Sequence, residues 1–543
     1  MSLFSKPFGK KKKNDKNRPE DKPVSQDPRG QADWIEKQFL DQNLDKNIEF
    51  LQKTTGNSSD IQYRHVTLGG NSGRKACIVI TEGLVENLLV LGFLESILEK
   101  EMDGQIPSEQ MMEQLRERIL PISKVGTVQT WTDLFHALLS GQSILLLDGM
   151  AKALTVSTEG GEFRSIQEPT SEVSIRGPKD SFTESLITNT ALIRRRIKNP
   201  NLWVERLEIG KVTKTEVNVI YIKGIANDKI VQEVKERLQR IEYGQVLDSG
   251  TVEQFIEDQT FSPFPTVYHT ERPDVVSSNL AEGRVAIVCD GSPFVLTVPA
   301  LFVEFFQATD DYYARFDISV AIRFLRVIAF FISLIAPATY VAITTFHHEM
   351  IPTILLLSIA AQREAVPFPA FLEAFLMEMA FEILREAGIR LPRFIGQTVS
   401  IVGALVIGQA AVQANLVSPA MVIVVSITGI ASFATPSYSV ANSARLIRFA
   451  IMILAAFIGF YGIVISLMFM VLHLNSLRSF GVPYMEPLSP MIFSELGDTL
   501  VRMPVRTLKM RPKLISQKNK FRLKTEQQPG PSGNKRKKGD DNG

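Results

Sequence analysis

Three glutamates, Glu378, Glu382 and Glu386, follow one another at four-residue spacing in a stretch whose apolar pattern predicts a helix over 371–386. At that spacing they share one helix face, with Arg385 beside them, and like charges so placed oppose the helix by about 0.2–0.5 kcal/mol per pair. Two uses of such a face are open. Repeated around an axis, the carboxylates form a ring or vestibule that attracts cations. Alternatively they are a solvated face balanced by Arg385, Arg390 and Arg393. A second pattern follows directly: Gln397, Ser400, Ala404, Gly408, Ala411 and Asn415 recur at intervals of three and four, so a helix there carries a stripe of small or polar side chains. Ile395, Val399, Val402 and Val406 fall on the opposite face. An uncharged stripe of this kind lines a narrow pore or packs tightly against another helix. Both uses require neighbouring helices.

Other chemistry is harder to build. In His347-His348-Glu349 successive side chains point about 100° apart on a helix, so one ion cannot use all three. Gly69-Gly70-Asn71-Ser72-Gly73 lacks the Gly-Lys-Ser/Thr ending of a phosphate-binding loop, and Cys77 and Cys289 are isolated. No cofactor, metal site or enzymatic activity is expected, which points to transport or sensing.

The elements around the two patterns are apolar. Between Phe394 and Ala444 there is no Asp, Glu, Lys or Arg, so overall values of 45% hydrophobic and 22% charged residues hide a sharp division along the chain. Residues 327–346 are uncharged and, at ~1.5 Å per residue, long enough for a ~30 Å hydrocarbon core. Pro337 lies mid-segment and predicts a kink. With 394–416, 419–435 and 449–472 this gives four expected spans within a membrane domain over 301–475. Segment 350–361 has the length of a re-entrant or interfacial element. Segment 298–306, which carries Glu304 and precedes Tyr312 and Tyr313, is expected to lie at the interface.

The preceding half reads as two α/β subdomains, 34–165 and 166–300, after a basic tail (1–33) too poor in apolar residues to fold. Strands are expected at 76–80, 143–147, 202–209, 216–222, 284–289 and 293–298. Helices are expected at 34–51, 84–100, 108–120, 131–139, 182–197 and 228–240. Asp290-Gly291-Ser292 supplies turn chemistry between the last two strands. The N-terminus has basic residues but no apolar core of a signal peptide, and 476–543 is strongly basic, so both ends are expected in the cytoplasm. The run Lys10 to Lys13 suits a solvated tail or anionic lipid; a nucleic-acid partner is not expected.

At these residues the sequence resembles the A subunits of GerA-type nutrient germinant receptors of spore-forming bacteria. The resemblance is carried by Ser174-Ile-Arg-Gly-Pro178 with Asn189 and Arg194 to Arg196, by Pro337 to Pro352 (PATYVAITTFHHEMIP), by 371–392 ending REAGIRLP, and by Gly396-Gln397 with 400–411 (SIVGALVIGQAA). It implies a subunit of a three-part receptor in the spore inner membrane, with a transporter-like B subunit and a lipoprotein C subunit as partners. It also implies oligomerisation into a nutrient-opened cation channel. A related subunit of the dipicolinic-acid release machinery, or a non-conducting scaffold, would share the same architecture.

Overall fold

The computed structural model describes residues 38–522 except 69–72, 99–106, 120–122, 162–167, 170–171, 173, 175, 392–402, 404–405, 500 and 518. The N-terminal half contains two five-stranded sheets. The first unit runs α1 (Leu44–Thr55), β1 (Ile61–Leu68), β2 (Arg74–Thr81), α2 (Asn87–Leu98), α3 (Ser108–Ile119), β3 (Val125–Val128), α4 (Trp131–Leu138), β4 (Ser143–Leu147) and β5 (Ala153–Val156). The second runs α5 (Leu186–Arg196), β6 (Leu202–Ile209), β7 (Thr215–Ile222), α6 (Asp228–Gln239), α7 (Ser249–Ile256), β8 (Tyr268–Thr270), α8 (Pro273–Ala281), β9 (Val285–Cys289) and β10 (Val295–Val298). Strand order is β1-β2-β4-β5-β3 in one and β6-β7-β9-β10-β8 in the other, antiparallel throughout.

The second unit therefore repeats the first element for element, and the repetition extends to side-chain bonds. Asp148 Oδ1 accepts from Leu44 N at 3.1 Å, and Asp290 Oδ1 accepts from Leu186 N at 3.2 Å. Asn47 and Asn189 each accept a backbone N–H from, and donate to the carbonyl of, the residue six positions earlier. In both units an Asp-Gly pair opens the last hairpin loop and reaches back to cap the first helix. The units meet at a buried bidentate bridge, with Arg194 Nε 2.8 Å and Nη2 3.0 Å from the Asp60 carboxylate.

Segment 298–306 closes β10 and forms a short 3-10 helix, Phe302–Phe306, rather than an amphipathic α-helix. Glu304 is buried there in an ion pair with Arg284. After α9 (Asp310–Tyr313), α10 (Phe316–Thr345) begins beside unit two, with Arg323 and Arg326 both 2.8 Å from Asp311. Pro337 is buried inside α10, which continues past it to Thr345.

Contacts fix the direction of the remaining helices. Beyond α10, α11 (Thr353–Glu364) has no buried residue. Helix α12 (Ala370–Arg390) runs back: Glu373 meets Ser418 at the far end, and Arg385 meets Ser432 nearer unit two. Helix α13 (406–413) runs outward, Gly403 lying against Leu384 and Gly408 against Val422. Then α14 (Pro419–Phe433) returns, α15 (Tyr438–Ile458) leaves and α16 (Phe460–Ser476) returns. The sequence predicts one helix over 449–472. The chain instead turns at Gly459, whose φ of 60° and ψ of −138° break the helix, so that α15 and α16 form a hairpin. Its open end holds the loop of unit two through Ser443 and His473. Two of these helices, Phe316–Thr345 and Tyr438–Ile458, are long and apolar enough to cross a membrane.

After the hairpin of β11 (Arg478–Ser479) and β12 (Val482–Pro483), the described part of the basic tail packs on unit two. Tyr484 and Ile515 are fully buried, and Arg522 lies 2.7 Å from Glu282.

Candidate functional site

The acidic helix is the most charged element of the helical half, and its charges are answered mainly from another helix. Arg448 of α15 sits between Glu378 and Glu382, with Nη1 3.1 Å from Glu378 Oε2 and Nη2 3.0 Å from Glu382 Oε1. Arg445, one turn earlier, reaches Glu382 Oε2 at 3.0 Å. Arg385 lies 3.9 Å from Glu382 and donates to Ser432 Oγ of α14 at 3.0 Å, its guanidinium stacked 4.5 Å from the Phe433 ring. Glu378 and Arg448 are 0% and 1% exposed. Such a pair resists separation because either charge left alone in an apolar interior is costly. Glu386 differs: it is exposed and bridged at 2.7 Å to Arg390, also exposed. Of the three glutamates, then, Glu378 is sealed between α12 and α15, Glu382 is paired there but half-buried, and Glu386 faces outward.

A fourth carboxylate of the same helix lies five residues before Glu378. Glu373, 0% exposed, accepts from Ser418 N at 2.6 Å and from Ser418 Oγ, and Tyr340 OH lies 2.9 Å from the same hydroxyl. Glu373 thereby ties α10, α12 and the N-terminus of α14 together, and Arg363 of α11 approaches it to 3.7 Å. Among the described residues no group of three His, Cys, Asp or Glu could hold a metal ion.

Of the small-residue stripe, Gln397, Ser400 and Ala404 lie outside the described residues. Gly408 is buried toward α14, Ala411 is half-buried, and Asn415 is exposed in the turn after α13 with φ 52°. The outward face of α13 carries Val406, Gln409, Ala410 and Gln413. The glutamines, one helical turn apart, are exposed polar groups in an otherwise apolar element. Their four-residue spacing is legible in the sequence beside the stripe.

Residues 49–514 match the family described as Bacillus/Clostridium GerA spore germination protein. Spore germination protein KA of Bacillus subtilis (strain 168) is 53% identical over 91% of this chain and 90% of its own length. The chain belongs to the GerA family of spore germination proteins. Spore germination protein B1 of the same organism is 43% identical over 87% of this chain and 97% of its own. The N-terminal domain of the A subunit of the Bacillus megaterium spore germinant receptor GerK3, a solved crystal structure, is 44% identical and covers 49% of this chain and 98% of its own, with a TM-score of 0.40.

In this GerA-family chain α12 also makes a close approach to α14. A Cβ on Gly429 of α14 would lie 2.5 Å from the Phe381 ring of α12. Gly429→Leu is therefore expected to push α12 from α14 and to destabilise the fold by about 1–3 kcal/mol. Thermal unfolding of the detergent-solubilised chain should show a clear drop for leucine and a smaller one for Gly429→Ala; equal midpoints for all three would disprove the close packing.

Proposed function

We propose that this chain is the A-type subunit of a nutrient germinant receptor in the spore inner membrane, working with a transporter-like B subunit and a lipoprotein C subunit. Six segments that run alternately away from and toward the α/β units (α10, α12, α13 with the rest of its expected span 394–416, α14, α15 and α16) cross the bilayer, leaving both the N-terminal units and the basic C-terminal segment on the cytoplasmic side. Several copies assemble so that α13 faces a shared axis, and nutrient bound by the partner opens a path for cations along it. The receptor reading is carried by 53% identity over nearly the whole length to a spore germination protein. The conducting reading is supported by the exposed Gln409 and Gln413 on α13, side chains that can replace part of an ion's hydration without trapping it by charge. The Glu378–Arg448–Glu382 group then acts as a fixed strut between α12 and α15, and Glu386, exposed and paired with Arg390, is the glutamate of the three placed to join an acidic ring. Opening requires the partner to contact the closed and open arrangements differently.

The test is cysteine accessibility in the assembled receptor, with Cys77 and Cys289 replaced. Gln409→Cys, Gln413→Cys and Asn415→Cys are expected to react with a water-soluble thiol reagent, faster with nutrient, and to block ion flux. Gly408→Cys should stay protected. Protection at all four positions with no flux would leave a non-conducting scaffold.

A further inference from the structure

We propose that the loop following α7 is a membrane anchor of the second α/β unit, with Phe261 entering the boundary between lipid headgroups and acyl chains. The inference rests on the membrane reading of the helical half given above. Phe261 is 100% exposed, the most exposed of the large apolar side chains among the described residues. It is held outward by its neighbours. Ser262 Oγ is 2.9 Å from His473 Nε2 on the last turns of α16, the Pro263 carbonyl accepts from Ser443 Oγ of α15, and Phe264 is 2% exposed between the rings of His473 and Phe302. Ser262 Oγ also accepts from Phe264 N at 3.1 Å, which tightens the turn. Anchoring of the three residues that follow it fixes the point at which Phe261 leaves the surface of the unit.

The place at which it projects gives the partner. Along α16 the outward side chains are apolar up to Phe469 and Leu472, 63% and 59% exposed. From His473 the chain turns polar, with exposed Asn475 and Ser476 and, on β11, exposed Arg478. That change from apolar to polar and basic marks the level of a bilayer interface, where aromatic side chains are favoured and basic groups meet phosphate. Phe261 belongs to this level because its neighbour is bonded to His473 itself. Just before it, Phe255 and Tyr243 form an exposed ring pair with centroids 5.4 Å apart, which widens the aromatic surface of the same unit. The level at which α16 leaves the apolar layer supplies lipid headgroups by itself, whereas a second copy would have to present a matching surface at that one height.

The experiment uses the intact chain in vesicles of phosphatidylcholine and phosphatidylglycerol, with Trp34, Trp131 and Trp203 replaced by phenylalanine. Phe261→Trp reports on the loop and Phe469→Trp on α16. Lipids brominated at the headgroup end of the acyl chain are expected to at least halve the emission of Phe261→Trp, while aqueous iodide quenches it weakly. Iodide quenching of Phe261→Trp without bromolipid quenching, when Phe469→Trp is quenched by bromolipid, would overturn the anchor and leave the membrane reading intact. Protection of Phe261→Trp from both quenchers would mean that protein covers the loop, which also overturns it. If neither tryptophan responds to bromolipid, the membrane reading of this helix fails and the anchor with it.

Discussion

Replacing Arg448 with methionine is expected to cost about 3–5 kcal/mol, the penalty of leaving a buried charge without its partner. The asymmetry of the site makes the prediction specific. Glu382 keeps Arg445 at 3.0 Å and Arg385 at 3.9 Å after the change. Glu378, 0% exposed, has Arg448 alone within salt-bridge distance among the described residues. Almost all the damage should therefore pass through Glu378. Arg448→Met combined with Glu378→Met removes the stranded carboxylate and should recover most of the lost midpoint, whereas Arg448→Met combined with Glu382→Gln should not. Thermal unfolding of the four proteins in detergent, with the intact receptor's germination response alongside, measures the coupling. A single Arg448→Met variant as stable as the parent would remove the strut from the account.

The same pair explains what the sequence could and could not reveal. Strands such as Ser143–Leu147 and Leu202–Ile209 were legible because an apolar run and an alternating run bounded by turn residues have few other solutions. Strand β1, Ile61–Leu68, was missed: its middle residues His65 and Arg64 are exposed, and its identity comes from its pairing with β2. The duplication of the α/β unit was equally hidden, since what the copies share is a few polar groups, Asn47 with Asn189 and Asp148 with Asp290, whose common role appears once their backbone partners are seen. In the helical half, hydropathy treated Arg445 and Arg448 as flanking charges and began the last helix after them. The four expected spans leave out the glutamate helix for the same reason. Each set of charges looked unburiable alone; together, on adjacent antiparallel helices, they neutralise one another, so both helices join the bundle. The hairpin that stands in place of one helix over 449–472 turns on Gly459, a single residue in an uncharged stretch.

Stability of the junction between unit two and the C-terminal segment is expected to fall as the pH rises toward about 8, and Glu486 is the reason. Its side chain is 0% exposed, and neither carboxylate oxygen has a hydrogen-bond partner of normal geometry. Burial pushes its pKa up to about 8, the charge of Glu495 adds to the effect, the Leu514 N–H pulls back, Glu304 pushes further up, and Arg284 again pulls back. The folded chain therefore holds a proton that the unfolded chain releases at ordinary carboxylate pH. A raised carboxylate pKa gives stability that is complete below the unfolded value and is lost as the pH climbs through the folded one, at up to about 1.4 kcal/mol per pH unit. The segment concerned carries Tyr484, whose carbonyl accepts from Phe302 N at 2.9 Å, and it reaches Glu282 through Arg522, so ionisation of Glu486 strains the link between the returning helix α16 and unit two. Glu486→Gln keeps the shape of the side chain and removes the titration. Its unfolding midpoint should match the parent's within a few degrees at mildly acid pH and exceed it at mildly alkaline pH, with proteolysis of the parent's C-terminal segment rising over the same interval. Parallel pH profiles for the two proteins would show that Glu486 is already ionised in the fold, and that Arg284 rather than protonation balances it.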